Sequence, residues 1–299
     1  MSTTSIAVKA ETCVPDRYIT WLKEHNVPLF NAGTSWWRPY RHALIPASVK
    51  PEPIDIELEQ AQDALRKSGT FFLRWLTRRS EEPTDFWYVA CDRYEFNDLS
   101  GKMRTKIRRA YKDCSVRQIE ASWLAVHGYD CYAAAFSRYK GGQPESRQRF
   151  AGICSDCSDG PFEFWGAYVG NHLAGFAKCI VGEDYVTMVS FKIHPDYLTS
   201  RPAYALLDKV LETYVTGEGK VLHNGFRSID HQTDMQEFVL QFGFRREYCD
   251  LKIVYRPLVG MCVGALYPFK PILDLVPTTR HFSQIKTLLT QEKIRRSFL

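Results

Sequence analysis

Long hydrophobic runs are missing from this sequence. The longest apolar stretch, LVGMCVGALY at 258–267, has ten residues between Pro257 and Pro268, far short of the ~20 a membrane span needs. We therefore expect a buried strand or helix there and no transmembrane segment. Residues 1–11 are largely polar and lack the apolar core of a secretory signal. No internal repeat and no low-complexity tract is present, which excludes repeat architectures.

A disulfide framework is missing too. The nine cysteines are scattered and odd in number, as suits a reducing cytoplasm. Cys154 and Cys157 form a single CxxC without a second ligand pair at zinc spacing, so no metal is expected. There is no GxSxG and no persuasive Cys–His pair, Cys179 and His194 being the nearest approach to one. A covalent serine or cysteine nucleophile is therefore not expected. Charge of one sign is also in short supply. The net +5, from 39 basic and 34 acidic residues, is too slight to indicate DNA. It suits either a solvated surface or a phosphate-bearing ligand such as a coenzyme, a nucleotide sugar or tRNA.

What is present is an ordinary globular composition, 45% hydrophobic and 24% charged, over 299 residues, enough for about two domains. Residues 28–53 are rich in proline and read as turns. Within them SWWRPYRHALIPA gathers Trp36, Trp37, Arg38, Tyr40 and Arg41, either a loop anchor or part of an acceptor-binding surface. A helix over 54–68, stopped by Gly69, precedes strands at 71–76 and 86–90. These define a small α/β unit over 1–95. A basic helix follows at 99–114, carrying Lys102, Arg104, Lys106, Arg108, Arg109 and Lys112, then a strand at 116–119 and a helix at 129–138.

The second half is clearer. Strands at 164–169 and 173–181 flank a Gly170-Asn171-His172 turn, and a third strand spans 185–193. A helix over 202–215 has apolar residues at i, i+3, i+4, i+7, i+8 and i+11 from Ala203, with Pro202 in its first turn. A strand at 221–226, a short helix at 233–241 opened by a Thr233/Gln236 capping box and a strand at 246–255 complete an α/β fold with a mixed sheet flanked by helices. The tail 281–299 sets Phe282, Ile285, Leu288 and Leu289 on one face among basic residues. It suits a partner or a membrane surface, with docking on its own fold the plainest reading.

Three segments resemble GNAT acyltransferases: the hairpin FWGAYVGNHLAGFAKCIV, the stretch IHPDYLTSRPAYALLDKV and the helix MQEFVLQFGF. MRTKIRRAYKDCSVRQI resembles the basic helix that precedes the GNAT core in FemAB-like proteins. The resemblance implies a GNAT-like domain over 96–260, a basic helical tail over 261–299, and a degenerate GNAT-like copy before residue 95. It also implies transfer of an acyl group from an acyl-CoA thioester, or of an amino acid from charged tRNA, to an amine on a small molecule, sugar or cell-envelope precursor. A catalytically inactive scaffold is the remaining alternative.

In such enzymes two strands part and the following loop and helix hold the donor's phosphates. Carried onto this chain, Ile193, Tyr197, Arg201, Ala203 and Asn224 would contact the donor. The loop departs from the family pattern, with Arg201 where a glycine is usual and Pro202 lacking an N–H. Asp230 and His231 lie between a strand and a helix, where α/β sites gather. They are the candidate acid–base pair, with Tyr204 beside them, although an N-cap and an exposed residue are plain alternatives.

Overall fold

The computed structural model describes residues 16–138, 142–229, 234–275 and 280–298. The first half comprises α1 (Arg17–Glu24), β1 (Phe30–Ala32), β2 (Ser35–Tyr40), β3 (Ala43–Pro46), α2 (Leu58–Ser68), β4 (Phe72–Arg79), β5 (Trp87–Cys91), α3 (Gly101–Asp113), β6 (Ser115–Ile119), α4 (Ala121–His127) and α5 (Tyr129–Ala135). The second half comprises α6 (Arg147–Ser155), β7 (Phe162–Val169), β8 (His172–Val181), β9 (Tyr185–Ile193), α7 (Pro202–Leu211), β10 (Val221–Phe226), α8 (Met235–Leu240), β11 (Arg245–Tyr255), α9 (Pro257–Leu266), α10 (Lys270–Leu275) and α11 (Arg280–Arg296).

All the strands join one mixed sheet in the order β1-β2-β3-β4-β11-β5-β10-β9-β8-β7-β6. Only β3–β4 and β9–β10 run parallel. The last strand, β11, lies between β4 and β5 and pairs antiparallel with both. The sheet therefore runs unbroken across residue 95.

The central helix is α7. Ala205, Leu206, Leu207, Val210 and Leu211 are fully buried, against β7 and β8 on one side and α3 on the other. Its inner carboxylate, Asp208, accepts hydrogen bonds from the hydroxyls of Tyr94 and Tyr111, which fastens α3 and the chain after β5 to α7. Burial raises the Asp208 carboxyl above the ordinary range. Ser100 caps α3 by accepting from the Met103 amide.

Two expectations need correction. Residues 28–53 are not mainly turns but hold three strands. Pro39 is tolerated because β1 reaches only as far as Trp37 in its register with β2, so the edge where proline lacks an N–H stays unpaired. The apolar run at 258–267 is the helix of the two alternatives, but it is not core. It is α9, largely exposed, with Val263 alone among its residues fully buried. The tail, as expected, docks on its own fold: α11 buries Leu289 and Ile294. Its buried Glu292 accepts from Tyr255, Arg295 and Arg296 at 2.7–3.0 Å.

Candidate functional site

Strands β9 and β10 begin side by side and then part. Their parallel register holds for Val221↔Tyr185, Leu222↔Val186 and His223↔Thr187, and goes no further. Each strand bends away from the other through a bulge. In β9, Met188 and Ser190 pair with the adjacent Cys179 and Lys178, which leaves Val189 as the extra residue. In β10, His223 pairs with Ala90 and Phe226 with Tyr88, which leaves one residue too many at Asn224-Gly225. Gly225 has φ +75°, a left-handed conformation that glycine takes without strain. A bulge adds local twist and interrupts the ladder. Two bulges on facing lips open a wedge in the middle of the sheet, with backbone lining both sides.

The wedge has defined surroundings. Gln236 on α8 donates to the Gly225 carbonyl at 3.4 Å and accepts from the Trp87 indole at 3.2 Å, so the β10 lip is braced. Phe191 on β9 meets Phe238 on α8, and Phe238 meets Tyr204 at 5.2 Å edge to face. An aromatic wall thus runs from the β9 lip to the first turn of α7. There the Tyr204 hydroxyl accepts from Lys106 of α3 at 3.1 Å, and the ammonium also sits 5.1 Å from the ring centre. Lys106 and Lys102 line a cavity of about 370 Å³ between the α3 N-terminus and Gln241 and Gly243.

The loop before α7 turns into the helix through a residue with positive φ. Arg201 adopts φ +59°, the left-handed conformation that glycine would supply freely and that costs another residue ~1 kcal/mol. The Arg201 and Tyr204 amides are spent on carbonyls of the loop itself, and Pro202 has none. Few backbone donors remain for an anion. Cationic side chains stand nearby instead: Arg201, whose guanidinium donates to the Thr199 carbonyl, together with Lys106 and Lys102. The turn thus offers an anion cationic side chains more than backbone amides.

The candidate residues divide. Asn224 is on a lip of the wedge, Ile193 ends β9, and Arg201, Ala203 and Tyr204 form the turn at its mouth. Tyr197 points elsewhere: its ring packs against His194 and His172 of the β7–β8 turn. Asp230 and His231 lie outside the described residues, as does Thr233. The aromatic–arginine cluster is not brought to the wedge, because β2 is five strand positions from β10, roughly 24 Å along the sheet at ~4.8 Å per strand. Trp37 is a core residue, wholly buried, its indole donating to the Ala32 carbonyl at 2.9 Å. Trp36 is covered by the Lys23 ammonium at 4.2 Å. The Arg38 Nε is buried without a partner, and Tyr40 is exposed beside Arg38 and Arg41.

One residue at the apex was missed. His223 is the last β10 residue in register with β9, buried between Tyr88 and Thr187 strands, with its Nδ1 lacking a hydrogen-bond partner. Burial, together with the charges of Lys50 and Arg79, lowers its pKa to about 4, so it is neutral near pH 7. The available sequence signal was the glycine inside the β10 pattern, which marks a bulge.

No family model matches the sequence, and no curated protein is significantly similar to it. Solved structures do match. FemX is 8% identical, over 82% of this chain and 92% of that one, with a TM-score of 0.58. The C-terminal DUF2156 domain of a putative lysylphosphatidylglycerol synthetase from Agrobacterium fabrum is 11% identical, over 84% and 91%, with a TM-score of 0.54. At such identities the likeness speaks for the fold alone, which is GNAT-like and covers most of the chain.

Proposed function

We propose that this GNAT-like chain is an acyltransferase that forms an amide, carrying an acyl group from a thioester donor such as acyl-CoA to an amine on a small molecule, sugar or envelope precursor. The double-bulged wedge between β9 and β10 carries the reading. It offers an extended donor arm two strand edges in the middle of a rigid sheet, with the α7 turn and its cations placed for the donor's phosphates. In the step itself the amine nitrogen attacks the acyl carbonyl carbon. The C–N bond forms, the C–S bond breaks, the amine proton passes to a base, and the leaving thiolate takes a proton from an acid. Asp230 and His231, directly after the β10 segment in sequence, are the proposed base pair, and Tyr204 at the mouth the proposed acid. The cytoplasm, where acyl thioesters are made, is the proposed setting.

A second reading, aminoacyl transfer from charged tRNA, is favoured by one observation: the basic helix α3 runs beside the same turn, with Lys106 on Tyr204 and Cys114 on the Ser200 carbonyl. A tRNA would bind with strong salt dependence.

Thermal unfolding of the purified chain across a panel of acyl-CoA thioesters tests both. A donor at a hundred times its Kd stabilises the folded state by ~2.7 kcal/mol, roughly 5 °C or more in Tm. Arg201→Gly keeps the positive-φ turn while removing the guanidinium. It is expected to unfold at about the wild-type temperature and to bind the donor about tenfold more weakly, the loss of one charge-assisted contact. No shift with any thioester, alongside salt-sensitive binding of charged tRNA, transfers the assignment to the second reading. No response to either leaves an inactive scaffold.

A further inference from the structure

Helices α9 and α10 join through the short turn Tyr267–Phe269 into a continuous helical run, Pro257–Leu275, of 19 residues, nearly all of it outside the core. Its exposed side chains are large and apolar: Leu258, Met261, Leu266, Phe269, Ile272 and Leu275 are between 41% and 85% exposed. Most recur at helical spacing and so share one side. Its polar contacts are made mostly toward α11. Lys270 is 16% exposed and pairs at 2.7 Å with Asp274, whose side chain at 46% exposed lies at the edge of the apolar side; the Asp274 carbonyl accepts from Lys286, and Tyr267 lies under the Arg296 guanidinium at 4.0 Å. A helix on a water-facing surface does the opposite, turning its polar residues outward. Contiguous apolar surface of this kind marks an interaction site.

We propose that this run lies in the plane of an anionic membrane surface, its apolar side sunk among the lipid chains and α11 above it. The charge of the module identifies the occupant. Residues 256–299 hold seven lysines and arginines against Asp274 and Glu292, a net +5, which equals the net charge of the whole chain. A negative leaflet attracts such a basic segment by ~1 kcal/mol per cation near the surface. Apolar burial and charge attraction together are what hold an in-plane helix. The run lies on the bilayer rather than across it. By length and composition the run could also cross a membrane, but a crossing would carry the Lys270–Asp274 pair into hydrocarbon and detach Tyr267 and the Asp274 carbonyl from Arg296 and Lys286 of α11. The transfer site is thereby tethered close to a lipid surface, a placement that holds whichever donor the wedge takes.

Flotation of the full chain with vesicles tests this. Phosphatidylcholine vesicles with about one-third phosphatidylserine are expected to carry the protein at least about tenfold more efficiently than phosphatidylcholine alone, and salt at about 0.5 M, roughly three times physiological strength, should weaken the binding. A Leu258→Glu/Phe269→Glu/Ile272→Glu variant should lose flotation while staying within a few degrees of the wild-type Tm, since these side chains are 56–72% exposed. A chain that stays in the soluble fraction with anionic vesicles overturns the proposal. So does a wild-type dimer in light scattering that the triple variant turns into a monomer, because a second copy would then be the occupant. Flotation that is equal on both vesicle types removes the charge argument and with it the assignment to an anionic surface.

Discussion

Trp37→Ala should lower the unfolding free energy by about 3–5 kcal/mol, while Tyr40→Ala three residues on should change it by under ~1 kcal/mol. Both belong to the cluster that the sequence left open between a loop anchor and an acceptor-binding surface. Trp37 is wholly buried in a core of Leu44, Leu65, Leu73 and Trp75, edge to face with Trp75 at 5.9 Å. Truncation empties a large cavity that the sheet and α2 cannot close, and it strands the Ala32 carbonyl that now accepts from the indole. Tyr40 is 44% exposed at the end of β2 and loses only surface contacts. Urea unfolding of both variants, with the m-value followed to check that each still unfolds in one step, decides the matter. A Trp37→Ala midpoint close to wild type would mean that β1–β3 do not seal this core.

The contrast within that cluster shows what a sequence conveys. Elements with strong periodicity were legible: the helix after Pro202, the hairpin around Gly170, the strand at 221–226 and the basic helix capped by Ser100 all stand close to where their patterns put them. The residues 28–53 misled because five prolines suggested turns, whereas an edge position in a sheet accepts proline on its open side. The apolar run at 258–267 misled for a different reason. Hydrophobicity implies burial only where water is the sole alternative solvent, and nothing in the run itself states what it faces. The turn before α7 was legible as a departure from the pattern of the family it resembles. Its backbone was not, since a left-handed arginine can follow the path of a missing glycine. The wedge was hidden most completely, because bulges depend on registers between strands that are distant in sequence.

His223 should give this protein an acid-sensitive stability that a His223→Phe variant lacks. In the unfolded chain the imidazole titrates near 6.5, and in the folded protein burial lowers it to about 4. The folded-state pKa lies below the unfolded one, so the contribution is fully present above pH ~6.5 and is lost as pH falls toward about 4. A separation of that size corresponds to roughly 3 kcal/mol at ~1.4 kcal/mol per unit. The carboxylates that also titrate in this window are common to both proteins, so the difference between the two stability–pH curves isolates the histidine. Phenylalanine suits the comparison because Tyr88 and Phe226 already pack ring against ring at this place, and it replaces the unpartnered Nδ1 with a group that requires no hydrogen bond. The expected result of urea unfolding at half-unit steps from about pH 4 to 8 is a gap that widens in favour of the variant below pH ~6.5. A flat difference would place His223 in water. A gap that widened in the opposite direction would mean that the imidazolium is paired with a carboxylate in the folded state. Either result would exclude a neutral, buried imidazole at the apex of the wedge, and with it the dry, preorganised sheet edge on which the proposed donor site depends.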